Sequence, residues 1–437
     1  MAMPIVTMSL PANLFLIALV TKVYPLSSPM IGLLSAMPFV GNILQIAAVP
    51  ILSRWRPPKT ITVTASALHL ATWAALGFLL RWIPRNDPAA AGRWLVAWFL
   101  VSSFLGAIAG VTWNSWIQEW VPARIRGKYF GRRNSLRQIS TLAFLLSAGW
   151  VLARWNYSLA AFEGIIAAAI LMRLFSLRWQ WISPTKAHGP PSGQKPAFPA
   201  QVGVLRASRS FLIFVAFGAV WSFAANCFGP FYSVFMFEPI GMSAWNVGVT
   251  ATLAQLGGVF SLPAWGLLLD RYGNKSVMVF SLLLWQLQYL AWCFVTPETR
   301  DLLYILWAWA GATSAGFILG QFTLLLKLIP EGAKDLALGF NLAVTSFFTA
   351  VAPIAGGWIL EWASGRWRNP LAVYHCCFLV QPAMTVLGAF LLLRVNEPAA
   401  SPISAVVGAM RNIRMLGSVL GLSVFFNYPF FRATRRR

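Results

Sequence analysis

Charged side chains are grouped directly after one long apolar run of the sequence, in the stretch WGLLLDRYGNKSV. Asp270 can accept hydrogen bonds, Arg271 and Lys275 can donate them, and Gly266 and Gly273 punctuate the group. Glycine permits a tight turn and the close approach of a neighbouring helix. The spacing therefore predicts charge-assisted hydrogen bonds at a helix end, with Gly266 as a packing position and Gly273 as a turn.

The residue types that carry enzymatic chemistry lack the spacing that it needs. Cys227, Cys293, Cys376 and Cys377 lie in or beside apolar runs, without metal-ligand spacing or a disulfide framework. The sequence contains no paired acids, metal cluster or nucleophile–base pattern, and no GxxxxGK[ST] phosphate loop. We therefore expect neither an enzyme nor a cofactor, and we expect no ATP hydrolysis.

The composition is that of a membrane protein. The chain has 437 residues, of which 58% are hydrophobic and 10% charged, whereas soluble domains have about 25% charged residues. Apolar runs of about 20 residues recur without the two-residue alternation of barrel strands, which predicts membrane-spanning helices. The net charge of +23 resides largely in short loops between the runs. That position orients membrane helices, and we expect no binding to nucleic acid.

Twelve apolar runs predict an all-α polytopic protein with two six-helix bundles. The predicted organisation is an N-terminal bundle over 1–176, a basic Pro/Gly-rich linker over 177–209, a C-terminal bundle over 210–395 and a tail over 396–437. The predicted spans lie near 5–24, 29–52, 61–82, 93–118, 136–154, 158–176, 210–236, 244–269, 276–296, 302–328, 339–362 and 371–394.

The distribution of Lys and Arg predicts the orientation of the chain. Most of the 34 basic residues fall on one side when both termini are placed in the cytoplasm. No Lys or Arg precedes Lys22, so the first run is interpreted as a helix and not as a cleaved signal peptide. The tail after 396 is interpreted as an interfacial segment with a basic anchor for membrane lipid, or as a disordered cytoplasmic tail.

The two halves of the chain carry matching loops. PARIRGKYFGRRN follows the fourth span and PEGAKDLALGFN the tenth, with Arg126 and Lys334 at the same offset from proline. Matching loops in two six-helix halves indicate parallel repeats related by an axis along the membrane normal.

With these features the chain resembles the Major Facilitator Superfamily. The loop signature G-x-x-x-D-R-x-G-x-[RK] of that superfamily fits the opening stretch after the eighth span. The resemblance implies a secondary carrier that works by alternating access, with this signature latching the bundles on the cytoplasmic side. It also implies a small-molecule solute, a monomer and a bacterial inner membrane, and it leaves open whether H⁺ or Na⁺ is coupled.

The resemblance also implies partners for the charged residues of the latch. Asp270 would face the start of span five, Arg271 would pair with Glu331 or Asp335, and Arg54 would pair with Glu119. The first-half copy departs from the pattern because Ser53 stands where an acid is usual, so Asp270 should dominate. The predicted gate comprises Gly266, Asp270, Arg271, Gly273, Lys275, Arg54, Glu119, Arg126, Gly127 and Glu331.

In the superfamily, spans one, four, seven and ten line the solute cavity. Polar and aromatic residues on or near them form the predicted cavity: Asn13, Trp113, Asn114, Trp221, Asn226, Gln255, Trp309, Gln321 and Asn341.

The spans expected to line the cavity contain few charged residues. Spans one, four, seven and ten carry no clear midplane Lys or Arg, and none of the eleven acids lies clearly at midplane. His69 is interpreted as a packed polar residue. We therefore expect a neutral, sugar-like solute. The alternative is a transport-silent relative that serves as a sensor or assembly partner.

Overall fold

The computed structural model of the chain describes residues 2–11, 13–121, 126–183, 198–397 and 400–420. Within these residues the regular secondary structure is helical. The helices in chain order are α1 (Met3–Met8), α2 (Leu14–Ala18), α3 (Ser28–Trp55), α4 (Pro58–Leu79), α5 (Pro88–Trp120), α6 (Arg126–Arg154), α7 (Leu159–Ile182), α8 (Phe198–Ala207), α9 (Arg209–Cys227), α10 (Gly229–Phe237), α11 (Ala244–Tyr272), α12 (Asn274–Ala291), α13 (Leu302–Leu328), α14 (Lys334–Ser364), α15 (Pro370–Phe378), α16 (Val380–Leu393), α17 (Ile403–Ala409) and α18 (Ile413–Val419).

Eleven helical segments of the described chain are long and apolar enough to cross a bilayer. They coincide with predicted spans two to twelve, which confirms the all-α polytopic fold class. Proline and side-chain caps begin several of them, because a helix start leaves N–H groups unpaired. Asp87 accepts a hydrogen bond from the Ala90 N–H at 2.9 Å before α5, and Ser158 caps α7 in the same way.

The first predicted span is broken near its middle. α1 ends at Met8, α2 begins at Leu14, and a π-helical turn over Leu19–Val23 follows α2. Asn13 holds the break: its Nδ2 donates to the Met8 carbonyl at 2.7 Å and its Oδ1 accepts from the Leu16 N–H at 2.8 Å. Pro11 precedes this cap and lacks the N–H that a continuous helix would use.

The chain divides into two compact units. The first comprises the described parts of Met1–Lys195, Asn226–Gly248 and Ser346–Arg368; the second comprises those of Pro196–Ala225, Val249–Thr345 and Asn369–Arg437. These units do not follow the predicted boundary at the linker, because segments around α10 and in α14 group with the first half of the chain.

Within the first unit, helices of the two halves of the sequence make backbone contacts. A Cβ added to Gly149 in α6 would lie 2.7 Å from the carbonyl oxygen of Ala244, the first residue of α11. The Tyr157 hydroxyl accepts a hydrogen bond from the Ala244 N–H at 2.9 Å. A Cβ on Gly32 in α3 would overlap the carbonyl group of Pro353 in α14. These contacts join helix ends that the predicted topology places on the outer side of the membrane.

The second unit has an aromatic core built by α9, α12, α13 and α16. Trp221, Phe217 and Phe317 are buried there with Met278 and Leu282. The rings of Trp221 and Phe317 lie 4.7 Å apart between centroids. This packing fixes α12 and α13 next to each other.

The linker and tail differ from their predictions. The predicted linker includes the end of α7 and all of α8, so part of it is helical. In the tail, Val406 and Val419 are fully buried against Trp265 and Leu268 of α11. The described part of the tail is therefore packed on the protein and is not a disordered segment; residues 421–437, with the basic end, lie outside the described residues.

Candidate solute cavity and charged cluster

A cavity of about 760 Å³ with several polar side chains in its wall lies within the first unit. It is bounded by residues of α3, α4, α5, α6 and α7 and by the segment around the break in the first span. Of the predicted cavity residues, Trp113 and Asn114 line it. The other polar side chains of its wall are Ser9, Asn42, Gln45, Ser66, His69, Ser103, Arg133, Arg137, Ser140, Arg173, Ser176 and Gln180.

His69 occupies a buried position in the cavity wall. Its Nε2 lies 3.2 Å from the Ser9 hydroxyl oxygen and 3.3 Å from Nε1 of Trp73. The indole N–H of Trp73 can only donate, and it is shared between Nε2 of His69 and the Ser9 hydroxyl oxygen at 3.2 Å. His69 is 4% exposed. The sequence interpretation of a packed polar residue is correct in its contacts, although the residue also faces the cavity.

Two arginines of α6 lie in the same wall. The guanidinium carbon of Arg133 is 3.9 Å from the ring centroid of Trp113, which is a cation–π contact. Arg137 follows one helical turn later and is exposed. The predicted cavity residue Trp113 therefore has a cation stacked on its face.

Four buried polar atoms of the wall lack a hydrogen-bond partner among the described residues. They are the Nε of Arg173, the hydroxyl oxygen of Ser103, and the Oε1 atoms of Gln45 and Gln180. Buried polar groups in proteins are normally paired, because leaving one unpaired costs about 1–3 kcal/mol. Unpaired donors and acceptors around an internal cavity are the groups that a bound solute or water can satisfy.

The remaining predicted cavity residues lie elsewhere, and their role as solute ligands stays a prediction. Asn13 uses its side chain to cap α2. Trp221 is buried in the aromatic core of the second unit, and Nε1 of Trp309 donates to the Leu284 carbonyl at 3.1 Å. The other four predicted residues do not line the cavity of the first unit: Asn226 lies in α9, Gln255 in α11, Gln321 in α13 and Asn341 in α14.

The loop between α11 and α12 is organised by an acid that the sequence interpretation did not select. Oε2 of Glu397 accepts a hydrogen bond from the Lys275 N–H at 2.7 Å, and Oε1 accepts one from the Asn274 N–H at 3.1 Å. Lys327 Nζ, from the end of α13, lies 3.1 Å from Oε1. Glu397 thus caps the start of α12 and neutralises a lysine of α13.

Hydrogen bonding lowers the pKa of Glu397. Burial alone would raise the pKa of this carboxyl, since the residue is 8% exposed. The backbone N–H groups of Lys275 and Asn274 and the Lys327 ammonium outweigh that effect, and the pKa lies below its ordinary value.

The two glycines of the signature have different environments. Gly273 has φ of +86°, and a Cβ there would lie 2.9 Å from Cα of Ala400. The prediction of a tight turn is confirmed. A Cβ on Gly266 would meet no described atom within 4 Å, so close packing of a described neighbour does not explain this glycine.

The predicted latch between bundles stays a prediction. Asp270 and Arg271 are exposed, and the Arg271 guanidinium lies 5.4 Å from the ring centroid of Tyr272. Arg54 is exposed in the last turn of α3, and Glu331 is exposed after α13. The side chains of Glu119, Arg126 and Asp335, together with the surroundings of Gly127, lie outside the described part.

The fold and the cavity define the class of the protein: it is a polytopic α-helical membrane protein with a cavity between helices of its first unit. Residues 218–434 match the family model described as Major Facilitator Superfamily. The C-terminal half of the chain thus matches the Major Facilitator Superfamily, the family that its loop signature resembles.

Curated relatives match parts of the chain, and solved structures share its fold. The chain is 30% identical over 160 residues to the MFS-type transporter ungB of Aspergillus violaceofuscus, a match that covers 36% of the chain and 27% of that relative. Matches to the curated relatives span about a third or less of their length. A mutant of the nucleoside transporter NupG (TM-score 0.71) and a D-xylose-proton symporter (TM-score 0.69) each share 15% identity with the chain. These structures cover 91% of the chain, and the chain covers 99% and 97% of theirs.

Proposed function

We propose that the protein is a secondary carrier that moves a small polar solute across the membrane by alternating access. The observation that carries this proposal is the cavity of about 760 Å³ inside the first unit. Its volume falls within the range of about 300–1,000 Å³ that is usual for small-molecule sites. Its polar groups lie on membrane-spanning helices, where polar side chains are costly unless they serve a function.

The packing of the first unit supports the alternating part of the proposal. Gly32 and Gly149 bring helices of both sequence halves into backbone contact at their predicted outer ends. A carrier that closes its outer side in one state needs such close contacts, and small residues provide them in membranes. The loop signature around Asp270 would serve as the corresponding latch on the cytoplasmic side.

The proposed setting is a bacterial inner membrane with both termini in the cytoplasm. The protein would work as a monomer, with membrane lipid around it and with H⁺ or Na⁺ as the possible coupling ion. The sequence favours a neutral solute, and the names of the nucleoside and D-xylose carriers are in keeping with that. The arginines of the cavity wall do not favour a neutral solute over a charged one.

Counterflow in proteoliposomes tests the proposed function. Purified full-length protein is reconstituted into vesicles loaded with unlabelled solute, and the entry of labelled solute is followed for each candidate that raises the thermal midpoint of the protein. A carrier exchanges the label faster than protein-free vesicles do. Stabilisation by a solute without any exchange would instead favour the transport-silent sensor.

A further inference from the structure

Arg173 is a buried cation inside the membrane-spanning helix α7, near the predicted cytoplasmic end of span six. It lies in the apolar run ILMRLF of α7, about 21 Å along the helix axis from Leu159 and about 14 Å from Ile182. Its residue exposure is 7%, and its Nε has no hydrogen-bond partner among the described residues. The side chain lines the cavity of the first unit.

A guanidinium in this position is costly without a counter-charge. Removing an ion from water is compensated only when an opposite charge and further hydrogen bonds replace the water. No Asp or Glu is present among the described residues that line the cavity. Glu163, the acid of the same helix, is paired outside the cavity with Arg81 at 2.6 Å. A structural role in packing does not account for the charge.

The rest of the cavity wall adds two further arginines, whose positive charge is available to a bound solute. The guanidinium carbon of Arg133 lies over the Trp113 ring, and a cation–π contact does not itself use the guanidinium N–H groups as hydrogen-bond donors to another oxygen. Arg137 lines the cavity one turn further along α6. Three guanidinium groups and the hydroxyl of Ser103 therefore surround a space that has apolar wall segments at Leu10 and Phe39.

We propose that the solute is a small organic anion and that Arg173 binds its oxyanion group. This inference rests on the proposed function, since it assumes that the cavity is the solute site. The planar fork of arginine matches the geometry of carboxylate and phosphate oxygens, with which it forms paired hydrogen bonds. Bound anion supplies the missing counter-charge of Arg173, while the apolar segments contact the carbon skeleton. The neutral solute expected from the sequence is replaced by a charged one.

Binding to the purified full-length protein tests the charge of the solute. The thermal midpoint is measured with benzoate and phenyl phosphate, with their neutral counterparts benzamide and phenol, with inorganic phosphate, and with D-xylose and uridine. We expect at least one organic anion to raise the midpoint in a saturable way, and its neutral counterpart to have no such effect. A benzoate effect alone identifies a carboxylate site, and a phenyl phosphate effect alone identifies a phosphate site.

Variants of α7 test the role of Arg173. Arg173→Gln should weaken binding of the stabilising anion by about 10- to 100-fold, the loss expected for a hydrogen bond to a charged group. Arg173→Lys should retain part of the affinity. Arg178→Gln, an exposed position five residues along the same helix and outside the cavity lining, should bind as the wild type does. Arg173→Met should raise the midpoint of the empty protein, because it removes an uncompensated charge.

The outcomes separate this inference from the proposed function. Saturable stabilisation by neutral solutes and by none of the anions, or equal anion affinity in wild type and Arg173→Gln, overturns the inference. A lower midpoint of empty Arg173→Met also overturns it, since that result assigns Arg173 to an internal ion pair. Arg173-dependent anion binding without counterflow leaves the inference standing and overturns the carrier. If a neutral solute shows counterflow and Arg173→Gln does not affect it, the carrier stands and the inference about Arg173 is overturned.

Discussion

Glu397 accepts a hydrogen bond from the backbone N–H of Lys275 at 2.7 Å, although the two residues are far apart in the sequence. The contact fixes the start of α12 to the chain that follows the last span. Ser401 reinforces it, because its N–H donates to the Tyr272 carbonyl at 2.9 Å. The loop that carries the signature is therefore fixed by residues that follow the last span of the same sequence half.

Replacing Glu397 should destabilise the protein. Glu397→Gln removes the negative charge that accepts from two N–H groups and from Lys327. We expect a loss of about 1–3 kcal/mol in the free energy of unfolding, which is the usual value of hydrogen bonds to a buried charged group. The thermal midpoint of purified protein measures the change. Glu298→Gln is a suitable control at an exposed acid, and an equal effect of the two substitutions would contradict the capping role.

The stabilisation by Glu397 should depend on pH. Its pKa in the folded protein lies below the ordinary value of 4.5, so folding favours the ionised form. The stabilisation is complete above pH 4.5 and is lost as the pH falls through the lower folded-state pKa. The difference in thermal midpoint between wild type and Glu397→Gln should be constant from pH 7 to pH 5 and should shrink below pH 4.5. A difference that grows with acid would show the opposite shift of the pKa.

The two glycines of the signature should respond differently to alanine. Gly273→Ala places a Cβ on a backbone with φ of +86° and 2.9 Å from Cα of Ala400, which should cost about 1–3 kcal/mol through strain and overlap. Gly266→Ala adds a methyl group to a helix with no described atom within 4 Å, so it should be neutral or slightly stabilising. Thermal midpoints of both variants provide the comparison. Equal losses would indicate a hidden contact at Gly266.

Some of these features are readable in the sequence and others are not. The runs of about 20 apolar residues predict spans two to twelve, and Pro11, two residues before Asn13, lies at the break in the first span. Both signals are local, since they depend on a helix and its own neighbours. The packing of Glu397 against α12 depends on a contact across 122 positions of the sequence, and no spacing rule reaches so far.

Arg173 is absent from the cavity residues predicted from the sequence. An arginine inside the apolar run of span six is itself a signal, because ionisable residues within spans are rare and functional. The expectation that spans one, four, seven and ten line the cavity does not include α6 and α7. Only the helix rotation seen in the structure places Arg133, Arg137 and Arg173 in one wall with Trp113.

Enlarging a close glycine contact of the first unit should impede the transport cycle. Gly149→Leu would force α6 away from the start of α11, where even a Cβ lies 2.7 Å from the Ala244 carbonyl oxygen. Overpacking of this kind costs about 1–3 kcal/mol, so we expect a loss of uptake of about tenfold. Gly164→Leu in α7 has no neighbour within 4 Å of its Cβ among the described residues and serves as the control. Unchanged uptake in Gly149→Leu would contradict closure at this contact.

The central claim is that the cavity of the first unit opens alternately to the two sides of the membrane. Asn114, an exposed residue of the cavity wall, is replaced by cysteine in a variant whose four native cysteines are alanine. An impermeant thiol reagent is then applied to vesicles of opposite orientation. Alternating access predicts that Asn114→Cys is labelled from both sides, and that a transported solute changes the ratio of the two rates. Labelling from one side alone, with a rate that no solute changes, would contradict the account.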